Sequence, residues 1–449
     1  MIRALAATAL TAAAGALAAP AAAKVDPSAF SQPSGERGCL MQIGYGVDHG
    51  CLRVGGLGRA HGIALSPDER FVYVASGGTL SGGSNGVTIF HRLPRNGGLV
   101  KAGCVTATGG DGRAGSEGVC GRGDALLGAA GVAVSTDGRT LFVAAAGAGG
   151  IAWLDRDPDT GALHPSGCVK EPPQEGTCGA LSHLAGVAAI AVAPDGRDLY
   201  VASPETSTLQ VLRLDPGGGA PQRVQCLSET GLDGACEVAP GLARVDELAV
   251  SPDGAAVYTA GPRGVVAAFA RDPASGRLAE TMCLADAPPD GGPCTDAGGI
   301  RGAEAVAVSP DGHDVYVAAH RSQAVTSFHV EPGPHLRQTG CLQRTPRGER
   351  PRDKRCHRAT AVWSPRELAV SADGRTVFAG GSDTVTSYRR DPATGRLVQT
   401  GCAEEQRTSP SCREVRATFG VNALATTADG HSVYVTADEE NAVTVLRAR

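Results

Sequence analysis

The sequence predicts an all-β fold, a single seven-bladed β-propeller with four antiparallel strands in each blade. One pattern of alternating apolar residues around a short turn recurs seven times, at intervals of 56 to 69 residues. Fourteen cysteines fall into seven consecutive pairs, one for each repeat. Helical periodicity is almost absent along the chain. Repeated four-stranded units of this kind are typical of propellers.

Each repeat begins with a β-hairpin, as in the copies "GIALSPDERFVYVAS", "ELAVSPDGAAVYTAG" and "AVAVSPDGHDVYVAA". Apolar residues alternate with period two up to a Pro-Asp-Gly-like turn and resume beyond it, which indicates two paired strands. The Gly suits a left-handed turn position, and Glu69 replaces it once. A third strand such as "VVAAFAR" and a fourth that ends in Gly-Cys complete the blade.

Small and large side chains recur at fixed positions of the hairpin. The first strand always carries an alanine: Ala64, Ala133, Ala191, Ala249, Ala307, Ala369 and Ala425. The second strand always carries an aromatic residue: Tyr73, Phe142, Tyr200, Tyr258, Tyr316, Phe378 and Tyr434. Wedge-shaped blades crowd near the axis and diverge outward, so we interpret the alanines as inner spacers and the rings as core packing.

The N-terminal segment is predicted to complete the seventh blade. The last repeat ends at "NAVTVLRAR", without the fourth segment that Gly-Cys closes in the other copies. Near the other end, "GERGCLMQ" matches fourth-strand endings such as "LRQTGCLQ". We therefore expect an N-terminal strand on the outside of the last blade, which would close the ring.

The cysteines predict one disulfide per repeat between nearest neighbours. The pairs are Cys39–Cys51, Cys104–Cys120, Cys168–Cys178, Cys226–Cys236, Cys283–Cys294, Cys341–Cys356 and Cys402–Cys412. The spacing within a pair varies, but twelve positions always separate the second cysteine from the aliphatic residue that starts the next blade. This constancy indicates a clip at the base of a variable loop. Metal binding is the alternative, although no CxxC or His-rich spacing supports it.

Residues 1–23 have a short basic start, an Ala/Leu run and a small-residue site, which predicts a secretory signal peptide. Residues 24–34 are expected to be a short flexible segment, and residues 35–449 the propeller. A secreted, extracellular location agrees with the even cysteine count.

The net charge of -5 argues against nucleic acid as a partner. We expect no membrane insertion, a monomer, and a bacterial source from the Arg-, Ala- and Gly-rich composition.

A candidate site lies where the first strands begin, at the mouth that carries the disulfide loops. Blades two and three offer only Ala130, Gly131, Ala188 and Ala189 there. The other five blades offer polar residues: His61, Asp246, Glu247, Glu304, Arg366, Glu367 and Asn422. His320 and Asp438, at second-strand ends, are expected to join this polar arc. Such a set could bind a sugar or cation or perform acid–base chemistry, or could simply be solvated.

The repeated "SPDG" turns followed by Val-Tyr-Val strands resemble those of secreted YVTN-repeat, lactonase-like seven-bladed propellers, over nearly the whole mature chain. The resemblance implies the fold and two alternative functions. Some members open sugar lactones such as 6-phosphogluconolactone, whereas others are surface or binding proteins. Pro365-Arg366-Glu367 is similar to a Pro-Arg-His sequence of the family, with Glu in place of His.

Two functions are therefore expected. A non-catalytic scaffold or binding protein would use Asp246, Glu247 and Glu304 as oxygen acceptors, for a carbohydrate, small molecule or cell-surface partner. A sugar-lactone hydrolase would use His61 or Glu367 as general base and Arg366 at the oxyanion. Neither function requires a cofactor or a metal on the residues considered.

Overall fold

The computed structural model shows the propeller. It describes residues 25–34, 38–44, 50–79, 82–172, 176–288, 291–346, 349–360, 363–406 and 409–449. The predicted signal peptide, residues 1–23, lies outside these ranges and stays a prediction. Among the described residues, helix is limited to four single 3₁₀ turns, Pro27–Ala29, Ala146–Ala148, Leu232–Gly234 and Pro240–Leu242. No helix in the described ranges is both long and apolar enough to cross a membrane.

Seven sheets correspond to the seven predicted blades. Their first strands are β4 (Ala60–Leu65), β9 (Ala129–Val134), β14 (Ala189–Val192), β19 (Glu247–Val250), β24 (Ala303–Val308), β29 (Glu367–Val370) and β34 (Val421–Thr426). Each first strand packs beside the first strand of the next blade, and β34 packs beside β4. The first strands therefore form a closed inner ring.

The next two strands run outward through each blade with antiparallel pairing. The second strands are β5 (Phe71–Thr79), β10 (Thr140–Ala145), β15 (Asp198–Ser203), β20 (Ala256–Gly261), β25 (Asp314–Ala319), β30 (Thr376–Gly380) and β35 (Ser432–Ala437). The third strands are β6 (Gly82–Arg92), β11 (Gly150–Arg156), β16 (Thr208–Arg213), β21 (Val265–Arg271), β26 (Ala324–Glu331), β31 (Thr384–Arg390) and β36 (Ala442–Ala448).

The fourth strand of each blade is followed by a short fifth strand that the sequence did not predict. The fourth strands are β7 (Leu99–Thr106), β12 (Leu163–Lys170), β17 (Gln222–Ser228), β22 (Leu278–Ala285), β27 (His335–Arg344), β32 (Leu397–Glu404) and, for blade seven, β2 (Cys39–Gln42). The fifth strands are β8 (Gly121–Arg122), β13 (Gly179–Ala180), β18 (Glu237–Val238), β23 (Thr295–Asp296), β28 (His357–Ala359), β33 (Arg413–Glu414) and β3 (Leu52–Val54).

The disulfides explain the fifth strand. All seven predicted pairs are present, with Cα–Cα distances of 4.4 to 4.9 Å, and no cysteine is free. The second cysteine of each pair directly precedes the fifth strand, which pairs parallel to the fourth. Each disulfide thus holds the chain that follows the loop next to the fourth strand, at the outer edge of the blade. The predicted four antiparallel strands are confirmed, with this two- or three-residue addition.

The recurrent alanines and rings are direct cross-strand partners in all seven blades, for example Ala64 with Tyr73 and Ala369 with Phe378. Every ring is buried. A small side chain opposite a large one lets adjacent blades interdigitate without voids. The interpretation of the rings as core packing is confirmed.

The predicted closure of the ring is also confirmed. β2 pairs antiparallel with β36, so the N-terminal strand is the outer strand of blade seven. Upstream, β1 (Phe30–Ser31) pairs with the other end of β36, and Phe30 is buried against Phe378 with ring centroids 6.2 Å apart. The packed part of the chain therefore begins before the predicted boundary at residue 35.

Arginines at the ends of four third strands bind the preceding blade. Arg156 donates to the Tyr73 hydroxyl, Arg271 to Asp195 and Asp198, and Arg92 to the Tyr434 hydroxyl. Arg390 is the most enclosed of them and binds Asp311, Asp314 and the Tyr316 hydroxyl. We call these four residues the clamp arginines. They bridge blades one and two, three and four, seven and one, and five and six.

Candidate functional site

One cavity of about 370 Å³ opens at the axis, at the end of the ring where the first strands begin. Its polar lining residues are His61, Asp246, Glu247, Glu304, Arg366, Glu367 and Asn422. All seven were predicted from the sequence. They lie in or directly before the first strands of blades four, five, six, seven and one. The Pro-Asp-Gly turns lie at the opposite ends of these strands.

The opposite wall of the cavity is lined by small residues of blades two and three, Ala130, Gly131, Ala188 and Ala189. A Cβ added to Gly131 would come within 2.5 Å of the Ala188 carbonyl oxygen. Close approach of neighbouring inner strands therefore requires glycine there. The result is an asymmetric cavity with one acidic wall and one apolar wall.

Glu247 and Glu367 are held in the protonated form more strongly than ordinary glutamates. Burial raises the pKa of Glu247 to about 7, and the Asp246 carboxylate contributes in the same direction. Burial also raises the pKa of Glu367 well above its usual range, with further contributions from Glu247, Glu304 and Asp246. Like charges and desolvation both disfavour ionisation. Both carboxyl groups therefore keep their protons to a higher pH than an exposed glutamate does.

Glu304 is the centre of a hydrogen-bonded group. One carboxylate oxygen lies 3.0 Å from Nη1 of Arg366, and the other lies 2.9 Å from Nδ1 of His320. Nδ1 of His320 also lies 3.0 Å from the Gly302 carbonyl oxygen. Burial lowers the pKa of His320, so the neutral ring donates its Nδ1 proton to these oxygens. His320 therefore joins the arc through Glu304, although it does not line the cavity.

His61 and Asn422 form the other polar contact. Nδ2 of Asn422 lies 3.2 Å from Nδ1 of His61. An amide nitrogen can only donate, so Nδ1 accepts and the neutral ring carries its proton on Nε2. Burial lowers the pKa of His61, while the nearby Asp438 opposes this shift. Asp438 thus acts on the site through His61 and does not line the cavity itself.

The structure brings the predicted site residues together, but the roles predicted for them remain untested. Arg366 is already paired with Glu304, and His61 accepts a hydrogen bond on Nδ1. Both contacts arise between side chains on different blades, and the repeat pattern does not contain them. Burial raises the pKa of Glu304 and lowers that of His320; Arg321, which was not predicted, opposes the first shift and adds to the second. The sequence offers one signal for its proximity to the site, since Arg321 directly follows His320.

Within the described part of the chain, no three His, Cys, Asp or Glu side chains are grouped so that they could hold a metal ion. The four carboxyl groups that line the cavity are instead spread across three blades; Glu304 is paired with Arg366 and His320, and Glu247 accepts a hydrogen bond from the Leu248 amide.

Residues 247–414 match the family model described as "Lactonase, 7-bladed beta-propeller". This stretch runs from the first strand of blade four to the last strand of blade six, and it contains Glu247, Glu304, Arg366 and Glu367. No curated protein sequence matches the chain.

Solved structures share the architecture at low sequence identity. The periplasmic gluconolactonase of Pseudomonas aeruginosa is 23% identical, with 76% of this chain and 85% of that chain covered and a TM-score of 0.52. A hydrazine synthase structure of Kuenenia stuttgartiensis is 17% identical, with coverages of 90% and 99% and a TM-score of 0.54. A protein of unknown function from Desulfotomaculum acetoxidans is 13% identical, with coverages of 81% and 89% and a TM-score of 0.53. At these identities the likeness shows the fold alone.

The fold and the disulfides thus define a disulfide-clipped seven-bladed β-propeller with an asymmetric polar channel mouth. Over blades four to six the chain is similar to the lactonase seven-bladed propellers, and the predicted resemblance is confirmed.

Proposed function

We propose that the protein is a hydrolase that opens a neutral sugar lactone in the channel-mouth cavity. The observation that carries this proposal is the pair Glu247 and Glu367, two acids that line one cavity and whose pKa values are both raised by burial. Carboxyl groups that titrate near neutrality in a cleft are suited to acid–base catalysis. The match of residues 247–414 to the lactonase model supports the same reaction class.

In this proposal Glu247 is the general base and Glu367 the general acid. The Glu247 carboxylate takes a proton from water while the water oxygen bonds to the lactone carbonyl carbon. The tetrahedral intermediate then collapses and the ring C–O bond breaks. Glu367 gives its proton to the leaving oxygen, and solvent restores both carboxyl groups to their starting states. The product is a hydroxy acid.

These roles differ from the sequence-based expectation for His61, Arg366 and Glu367. Burial and the neighbouring carboxylates raise the pKa of Glu367, so we assign it to the proton donor and not to the base. His61 presents an Nε2–H group, which is a donor suited to a developing oxyanion. Arg366 is engaged by Glu304, so we assign it to holding the Glu304 carboxylate in place.

The charge of the cavity favours a neutral substrate. Four carboxyl groups line it, and Arg366 is the one cation among the residues that do so. A phosphate on the sugar would face Asp246 and Glu304 and would be repelled, because like charges a few ångströms apart in a partly desolvated site cost energy. Hydroxyl groups can instead donate to these carboxylates. The anionic product would leave readily for the same reason.

Extracellular or periplasmic action is part of the proposal. Seven disulfides persist in oxidising compartments and are rare in the cytosol.

A second candidate is the non-catalytic sugar-binding protein expected from the sequence. The contact between Arg366 and Glu304 favours it, because an arginine that is already paired leaves the oxyanion with fewer donors. In that case the acceptors would be Asp246, Glu247 and Glu304.

The test is hydrolysis of a panel of neutral and phosphorylated sugar lactones by the purified protein, followed as acid release between pH 5 and 9. We expect turnover of a neutral lactone and a loss of about 100-fold or more in Glu367→Gln and Glu247→Gln. Glu117→Gln, in an exposed disulfide loop, is the control. Activity equal in the wild type and Glu367→Gln would refute the mechanism. Sugar binding by calorimetry without any turnover would favour the second candidate.

A further inference from the structure

A strongly basic loop lies on the connection between blades five and six. From Arg344 to Arg358 the sequence has seven Lys or Arg residues and two acidic residues, a surplus of five, in a chain whose net charge is -5. Arg350, Arg352, Lys354 and Arg358 are exposed. Within the described ranges, none of these four has an ion-pair partner. We call these four residues the basic loop.

Residues 349–358, which carry the basic loop, are attached to the blade by a disulfide and by hydrogen bonds. The disulfide Cys341–Cys356 closes its base. The buried Gln343 accepts a hydrogen bond from the Asp353 amide at 3.0 Å and donates to the Ser322 carbonyl at 2.8 Å. Gln343 is bonded both to the Asp353 amide and to Ser322 of the blade. It therefore fixes the backbone at residue 353 to the blade in the absence of a partner.

Two further arginines of this segment contact other residues of the protein and help to hold the segment in place. Arg355 pairs with Asp353 and with Asp296 of blade four, at 3.1 and 2.8 Å. Arg344 lies over the Trp363 ring, with 3.2 Å between its guanidinium carbon and the ring centroid. Such cation–π contacts are worth about 0.5–2 kcal/mol. Because these contacts already order the segment, the basic loop loses less conformational entropy on binding than a flexible loop would.

The arrangement of the charges indicates the form of the partner. The four cations follow one another along the chain at the surface, and they do not converge on any of the described cavities. A single small anion would need convergent donors, whereas an extended polyanion can contact them in series. Arginine also pairs bidentately with carboxylate and sulfate groups.

The rest of the molecule restricts the partner's charge density. Outside the Arg344–Arg358 segment the chain carries a net charge of -10, since the whole is -5 and the segment is +5. Nucleic acid has one charge per ~1.7 Å of duplex, so this remainder repels it more strongly than a polyanion with more widely spaced charges. Trp363 is covered by Arg344 and is not free to stack on a base. A polyuronate carries one carboxylate per sugar ring, so its charges are more widely spaced than those of duplex DNA.

We propose that the basic loop binds an anionic polysaccharide. The same connection continues from Trp363 to Arg366 and Glu367, so a bound polymer would lie beside the channel mouth. This proposal does not depend on the hydrolase activity.

The experiment measures binding of fluorescein-labelled polygalacturonate and heparin oligosaccharides to the full chain by anisotropy, between 25 and 200 mM NaCl. The test variant is Arg350→Ala/Arg352→Ala/Lys354→Ala. The control variant is Arg139→Ala/Arg197→Ala/Arg375→Ala, which removes three exposed cations that follow the Asp-Gly hairpin turns at the opposite end of the ring. Both variants change the net charge equally.

We expect the test variant to bind at least 10-fold more weakly, with a shallower dependence of log Kd on log salt, and the control to change Kd less than about 2-fold. An unchanged melting temperature confirms that the test variant folds. Failure of the wild type to bind either polysaccharide at 50 mM NaCl would overturn the proposal. So would equal weakening in both variants, or tighter binding of a duplex DNA oligonucleotide than of either polysaccharide.

Discussion

Replacing Arg390 with methionine should destabilise the propeller far more than removal of an exposed ion pair. Arg390 and Asp314 have side chains that are each 1% exposed. Arg390 also donates to the Tyr316 hydroxyl at 2.9 Å and to the Gly374 carbonyl oxygen at 3.2 Å. Methionine would fill much of the space but leave the Asp314 carboxylate buried, with His329 at 3.2 Å as its remaining ion-pair partner among the described residues. Breaking a buried pair in this way costs about 3–5 kcal/mol.

That free energy converts into a measurable shift in melting temperature. At about 2.1 cal/mol/K per residue, cooperative unfolding of residues 25–449 has an entropy of roughly 0.9 kcal/mol/K, so the expected drop is about 3–6 °C. Differential scanning calorimetry at pH 7 would measure it. The control is Arg337→Ala, because Arg337 pairs with Glu331 at 2.6 Å while their side chains are 58% and 45% exposed. Such a pair is worth under about 1 kcal/mol.

Two results would refute this reasoning about Arg390. One is a drop of less than 1 °C in Arg390→Met, and the other is equal drops in Arg390→Met and Arg337→Ala. The double variant Arg390→Met/Asp314→Leu provides a further check. It removes the stranded carboxylate and should recover much of the lost stability, since a buried ion pair can often be replaced by apolar residues at little cost.

Leu40→Ala, in the N-terminal strand that closes blade seven, should cost about 2–5 kcal/mol because Leu40 is fully buried. An unchanged melting temperature would contradict the closure. Folded Glu247 keeps its proton to about pH 7, whereas an unfolded glutamate loses it near pH 4.3. The folded state therefore binds more protons between these values, and this group's contribution to stability falls as pH rises through that window. Glu247→Gln should show a smaller loss of melting temperature than the wild type between pH 5 and 8, and identical profiles would count against the shift. Alanine at Glu304, Arg366 and Glu367 together should abolish turnover or sugar binding while the fold is retained, as circular dichroism would show. Full function in that variant would place the site elsewhere.

The architecture could be predicted because each blade repeats the same local chemistry. The alanine and aromatic positions, the turns and the cysteines are fixed by contacts within one repeat, and those contacts are visible as a pattern. The fifth strands were missed because they are only two or three residues long and contain exposed residues such as Glu237 and Arg413. Their pairing depends on the disulfide clip and not on apolar alternation.

The composition of the site could also be predicted, but its pairings could not. His61, Glu304, Arg366 and Asn422 occupy the same position of the repeat, so they are predicted to lie at the same level along the ring axis. Which of them touch depends on side-chain directions across blade boundaries, and the repeat says nothing about those. The proton affinities of Glu247 and Glu367 likewise depend on burial and on carboxylates of neighbouring blades.

The clamp arginines imply that the ring does not open equally at all of its seams. The position that holds arginine in blades one, two, four and six holds Leu214, Val330 and Ala448 in blades three, five and seven. Among the described residues, no clamp of this kind therefore crosses the seams between blades two and three, four and five, and six and seven. Transient separation should occur first at these three seams, which leaves three clamped units: blades seven, one and two, blades three and four, and blades five and six. The propeller would then widen its channel by opening at these three seams and not evenly around the ring. Amide hydrogen exchange of the first strands should be faster beside the unclamped seams than beside the clamped ones.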